Sequence, residues 1–229
     1  MNSATDVLVL DIHVEAPPFA GPRWFPEGTA HETCWILRGE RPADPDRWSH
    51  VVISGSALSI NEDSDFLPET ERFLRETVAA GVPVFGVCYG SQLLARALFG
   101  EHHVRKNPRG IEVGWLSVEV IDEAGGWFED LPRPFHTWHS HFDEVRDLPE
   151  GCRVLARSEL CDVQAWDHPG MRVFGTQFHP EMDVEGGNAN FLKEREMLGK
   201  HGIDPDDLVA ATRDDGARLL FRKFLEYRW

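Results

Sequence analysis

VPVFGVCYGSQLLARALFG, residues 82–100, passes from an apolar run straight into a helical pattern. Residues 82–87 read as a buried strand. Leu93, Leu94, Ala97 and Leu98 then recur at the spacing of one helix face, and Gly100 closes the pattern. Cys88 falls at the junction, with Gly86 and Gly90 on either side. A sharp strand-to-helix turn sets such a side chain at the carboxyl edge of a parallel sheet and aims a helix N-terminus at it. That end of a helix favours negative charge. Flanking glycines let neighbouring backbone close in around a strained residue. Taken alone, the motif fits a nucleophilic thiol, and equally a small buried cysteine beside incidental glycines.

The elements on either side define the class of sheet. Residues 7–12 (VLVLDI) and 51–54 (VVIS) are short, β-branched and apolar, as buried parallel strands are. Residues 33–38 (TCWILR) read as another strand, and the Pro- and Gly-rich stretch 15–32 as a loop. Residues 68–80 fit a helix, with Pro68 in its first turn and Gly81 just past its end. Beyond residue 104 come short β-like pieces at 111–121, 152–158, 161–167 and 171–178, then amphipathic helical stretches at 189–200 and 215–227. The expected fold is α/β, an open, mostly parallel twisted sheet with helices on both faces and a small antiparallel portion. One domain over residues 1–229 is expected.

A net charge of -16 over 229 residues repels phosphate backbones and anionic lipid, so neither nucleic acid nor membrane is an expected partner. No leader-like start and no apolar run of membrane-spanning length is seen, and a cytoplasmic protein is expected. The four cysteines, Cys34, Cys88, Cys152 and Cys161, form no paired pattern, as in a reducing compartment.

A cysteine nucleophile needs a base, and the base needs an orienter. Among eleven histidines, His179 in FGTQFHPEMD stands out, because a strand delivers it to a turn and Glu181 follows two residues later. Pro180 stiffens the link. Residues separated by one position in an extended segment point the same way, so Glu181 is placed to hold the imidazole. A rival reading is a metal site. Alternation puts His139 and His141 on one strand face, but no third ligand follows at a standard spacing, so no metal and no organic cofactor are expected.

GVCYGSQLLARAL followed by VFGTQFHPE resembles the class I glutamine amidotransferases, with VVISGS, GIEVGWLSV and HSHFDEV in matching order between and before them. The resemblance covers most of the chain and is closest to free-standing members. It implies a flavodoxin-like amidotransferase fold, Cys88 as nucleophile, His179 as general base and then acid, and Glu181 as orienter. It also implies an oxyanion hole from the backbone amides of Ser56 and Tyr89, with Gly55 giving the turn its freedom. Gln92 and Ser140 would hold the amino acid end of glutamine, with His141 shaping that wall. The implied activity is hydrolysis of the glutamine side-chain amide through a cysteinyl thioester, the ammonia passing to a separate synthetase, since no phosphate-cradling lysine loop is present. A free-standing γ-glutamyl peptide or amide hydrolase is the alternative, and a non-catalytic binding protein that keeps the fold is another. Ser56, Ser91, Phe99 and Phe142 stand where many relatives carry glycine, histidine, glycine, and glycine or arginine, respectively.

Overall fold

Successive residues of the first strand face opposite ways: Val7 and Val9 belong to one buried cluster, Leu8 and Leu10 to another. The computed structural model describes residues 6–14, 18–121 and 126–229. Its nine-stranded sheet begins with five neighbouring parallel strands, in the order β2 (Ala30–Trp35), β1 (Asp6–Asp11), β3 (His50–Ile53), β4 (Val84–Val87) and β11 (Val173–Thr176). Antiparallel strands extend it through β10 (Ala165–His168), β9 (Arg153–Arg157), β6 (Glu112–Val120) and β7 (Phe135–His141). A separate antiparallel pair joins β5 (Val104–Lys106) to β8 (Asp143–Val145).

Because the parallel strands are apolar on both sides, both faces need cover. Helices α1 (Leu67–Ala79) and α2 (Tyr89–Phe99) cover one face through Phe73, Leu74, Leu93 and Leu94. The other is closed by α6 (Leu219–Glu226) through Leu220, Phe221 and Phe224, with Trp127 stacked between Phe174 and Tyr227 at 4.1 and 4.2 Å. A third cluster packs Trp115 and Trp138 of the β6–β7 hairpin against Phe191 and Leu198, from α3 (Val184–Lys193) and α4 (Arg195–Lys200).

Several boundaries differ from the sequence reading. The strand expected at 33–38 instead spans Ala30–Trp35, and Ile36–Arg38 forms a 3₁₀ turn that ends at Gly39 with φ 88°. As an edge strand, β2 is defined by its ladder to β1, from Asp6↔Ala30 to Asp11↔Trp35, so polar residues suffice there. The helix expected at 189–200 is two helices, and α3 starts early because the Asp183 side chain accepts a hydrogen bond from Gly186 N at 2.7 Å. Helix α5 (Pro205–Ala210) was not anticipated. Of the stretch read as a loop, residues 15–17 lie outside the described residues, and Gly21–Trp24 form a 3₁₀ turn. Among the described residues, no helix is long and apolar enough to cross a membrane.

Candidate active site

Cys88 joins β4 to α2 with φ 49° and ψ -108°, outside the regions ordinary residues favour. Two glycines make this elbow possible. A Cβ on Gly86 would fall 2.4 Å from the carbonyl oxygen of Gly90, and one on Gly90 would fall 2.5 Å from that of Ile53. The elbow is tied to the next strand by Cys88 N donating to Thr176 O at 2.7 Å. Three residues beyond Thr176 the chain reaches His179, whose N–H donates to Trp138 O at 2.9 Å. The residues leading to the imidazole are thus hydrogen-bonded to the nucleophile's backbone on one side and to the hairpin strand β7 on the other.

The imidazole is enclosed. Trp138 meets it edge-on at 4.9 Å between ring centroids, and Gly55 backs it so closely that a Cβ there would lie 2.8 Å from Cε1. That same Cβ would lie 3.6 Å from Cys88 Cβ, so Gly55, His179 and Cys88 converge on one point. Nδ1 of His179 lies 2.7 Å from Glu181 Oε1, and the Glu181 side chain is 0% exposed. Burial alone would lower the His179 pKa. The Glu181 carboxylate and the Cys88 sulfur outweigh it and raise the pKa well above the usual histidine value. With Nδ1 on Glu181, Nε2 is the nitrogen left to act on a reacting atom. Glu181 is anchored in turn, its carbonyl accepting from Trp24 Nε1 at 2.9 Å.

The amides expected to form the oxyanion hole flank this site. Tyr89 N opens α2, where a helix leaves its N–H groups without intrahelical acceptors, and Ser56 follows Gly55. Neither amide donates to another group among the described residues. Ser54 was missed in the sequence, although VVISGS contains it. Its hydroxyl accepts from Ile12 N at 2.8 Å and donates to Gly55 O at 2.8 Å. Because a peptide unit is planar, fixing the Gly55 carbonyl fixes the direction of the Ser56 N–H.

Of the residues assigned to substrate, Ser140 is half-buried, with its carbonyl 4.0 Å from Cys88 Sγ. Gln92 is buried and donates from Nε2 to Asp143 O at 3.0 Å and to Gln177 Oε1 at 3.2 Å. His141 faces into the protein, with Nδ1 3.1 Å from Asp143 O and Nε2 3.0 Å from Glu112 Oε2. Gln177, also missed, donates from Nε2 to Cys88 Sγ at 3.6 Å, and its place two residues before His179 was the available signal. Ser91, a departure from many relatives, accepts from Trp166 Nε1 at 2.9 Å.

A strained cysteine elbow at the carboxyl edge of a parallel sheet, beside a buried histidine–glutamate pair, defines an α/β protein of the cysteine–histidine–glutamate class. The chain belongs to the class-I glutamine amidotransferase family, whose model matches residues 40–197. It is 43% identical over 122 residues to a GMP synthase (glutamine-hydrolyzing) subunit of Thermococcus kodakarensis, a match covering 52% of this chain and 62% of that protein. With the corresponding protein of Methanocaldococcus jannaschii it shares 39% over 149 residues, covering 63% and 76% respectively. The matches to three such archaeal relatives span 62%, 63% and 66% of their lengths. The crystal structure of a glutamine amidotransferase from Thermotoga maritima superposes with a TM-score of 0.83 over 98% of each chain, and at 24% identity it speaks for the fold. One from Methylobacillus flagellatus gives 0.79 at 24% identity over 98% of this chain and 92% of that one.

Proposed function

We propose that the protein hydrolyses the side-chain amide of glutamine to glutamate and ammonia, with Cys88 as nucleophile, His179 as base and acid, and Glu181 as orienter. The observation that carries this reading is the convergence of the Cys88 elbow and the His179–Glu181 pair on Gly55. Sulfur attacks the amide carbon, and the developing oxyanion is met by the amides of Ser56 and Tyr89. As the intermediate collapses, the C–N bond breaks and the His179 imidazolium gives its proton to the departing ammonia. A water then loses a proton to the same imidazole and attacks the thioester; the C–S bond breaks and glutamate leaves. Gln92 and Ser140 are assigned to the amino acid end of the substrate, with His141, buried next to Ser140 in the chain, shaping that wall.

The ammonia passes to a separate synthetase, a reading supported by relatives that are themselves named as subunits of a glutamine-hydrolysing synthase. A reducing, cytoplasmic setting suits four free cysteines. The γ-glutamyl hydrolase alternative uses the same nucleophile and differs in the amine that leaves.

Ammonia release from glutamine and glutamate release from a panel of γ-glutamyl peptides, by purified protein and by Cys88→Ala, test both readings. Glutamine turnover lost in the variant, with a γ-glutamyl thioester trapped at Cys88 of the wild type, is the expected result. Faster turnover of peptides than of glutamine would transfer the assignment to the hydrolase. Neither turnover nor labelling of Cys88 by a glutamine analogue, alone or with a synthetase present, would leave a binding protein.

A further inference from the structure

The β6–β7 register sets Glu112 opposite His141, and their side chains meet out of reach of solvent, at 2% and 1% exposure. Nδ1 of His141 is 3.1 Å from the Asp143 carbonyl, which only accepts, so the proton sits on Nδ1. In the neutral ring the lone pair is then on Nε2, and it faces Glu112 Oε2 at 3.0 Å. Two electron pairs brought together in a buried space call for a cation between them. A second proton or a metal ion would serve, and the third neighbour separates the two.

That neighbour is Cys161. Its sulfur, Glu112 oxygen and His141 nitrogen all lie within 4.8 Å of one another, and all three residues are buried. A thiol does little for an imidazolium–carboxylate pair, but it is a soft metal ligand. Zinc bonds of about 2.0–2.3 Å in a tetrahedral arrangement hold ligand atoms roughly 3.3–3.8 Å apart. The His141–Glu112 separation of 3.0 Å is just below that span, and the sulfur lies within 4.8 Å of both atoms. The surrounding groups resemble an outer shell that orients ligands. Ser158 Oγ donates to Glu112 Oε1 at 2.6 Å, Gln164 Nε2 donates to Oε2 at 2.7 Å, and the Asp143 carbonyl holds the His141 ring. Both nitrogens of His139, whose ring centroid is 6.2 Å from that of His141, and Gln164 Oε1 lack hydrogen-bond partners among the described residues.

We propose that Glu112, His141 and Cys161 bind a divalent transition metal of the zinc class in a structural site. One carboxylate, one thiolate and a neutral imidazole balance a dipositive ion, so the buried unit carries no net charge. Metal binding displaces the Cys161 thiol proton to solvent. The ion pins the chain segment carrying Cys161 to the hairpin whose Ser140 carbonyl faces Cys88. It takes no part in amide hydrolysis, and the proposal stands or falls separately from that activity.

The test uses the full chain as Cys88→Ala, so that the nucleophile's sulfur cannot ligate, purified without chelators or metal-affinity resin. Elemental analysis is expected to find about one equivalent of metal. Cobalt(II) exchanged into the protein is expected to show a thiolate-to-cobalt charge-transfer band, and zinc uptake by stripped protein to release protons from the ligands. Adding Cys161→Ser should remove the band and lower metal content about tenfold or more, while Cys152→Ser changes neither. If the Cys161 variant does not fold, the cobalt spectrum and proton release of the Cys88→Ala protein decide the matter. Less than about 0.1 equivalent with no uptake from micromolar zinc, or a cobalt spectrum without the thiolate band, would overturn the proposal and leave a metal-free contact between His141 and Glu112.

Discussion

The Nδ1 of His179 and the Oε1 of Glu181 stand 2.7 Å apart around a carboxylate that solvent does not reach. Water therefore cannot screen or replace that contact, and the ring's orientation depends on it. Glu181→Gln keeps the shape but removes the charge that holds the tautomer. A fall in kcat of about 10²–10⁴ is expected with KM little changed, as for an orienter. Steady-state kinetics on glutamine decide it, and a loss below about threefold would contradict the role. His179→Asn should lose more, because it removes the group that carries the proton.

The same contact gives stability a pH dependence of known sign. The folded-state pKa of His179 is raised, with Glu181 and Cys88 outweighing burial, relative to about 6.5 in an unfolded chain. The stabilisation is fully present below the unfolded value and is lost as pH rises through the folded one. In urea unfolding, the advantage of the wild type over His179→Asn is expected to shrink as pH rises above about 6.5. An advantage that grows across that range would mean the imidazole is held neutral.

Ser54 offers a test of the oxyanion hole that touches neither the nucleophile nor the base. Ser54→Ala frees the Gly55 carbonyl and leaves the buried Ile12 N–H without its acceptor. The second effect costs about 1–3 kcal/mol of stability. The first is expected to lower kcat by up to about 10²–10³, the worth of one oxyanion donor, with KM unchanged. Unaltered kcat in a destabilised protein would make Ser54 a purely structural residue.

What could be read in the linear chain followed the range of the physics. The β4–Cys88–α2 junction was legible because strand, turn and helix signals are all local, and the His179–Glu181 contact because two residues of extended chain face the same way. Glu112 was not seen as a partner of His141, because only the antiparallel register of β6 and β7 brings them together. Cys161 reaches the same spot from a different segment, so a search for ligand spacings could not find it. Edge strand β2 was shifted because its position is set by hydrogen bonding to β1 rather than by its own polar residues. Ser54 and Gln177 carry no signal beyond lying beside recognisable motifs. Their roles appear only through the hydroxyl and amide contacts they make.

Gly90 and Gly199 predict opposite outcomes for one substitution. Both are helical, in α2 and α4. A Cβ on Gly90 would sit 2.5 Å from the backbone oxygen of Ile53 and 2.8 Å from that of Ser54, and neither can move without displacing β3 from the elbow. Gly90→Ala is therefore expected to cost at least the 1–3 kcal/mol typical of overpacking, and to lower activity by shifting Cys88 against Gly55. At Gly199 nothing lies within 4 Å of the added carbon. Alanine there restricts the unfolded chain and suits the helix, a gain of about 0.4–1 kcal/mol with activity unchanged. Urea midpoints for the two variants check the pair. Equal effects would show that the close packing of the elbow does not control its stability.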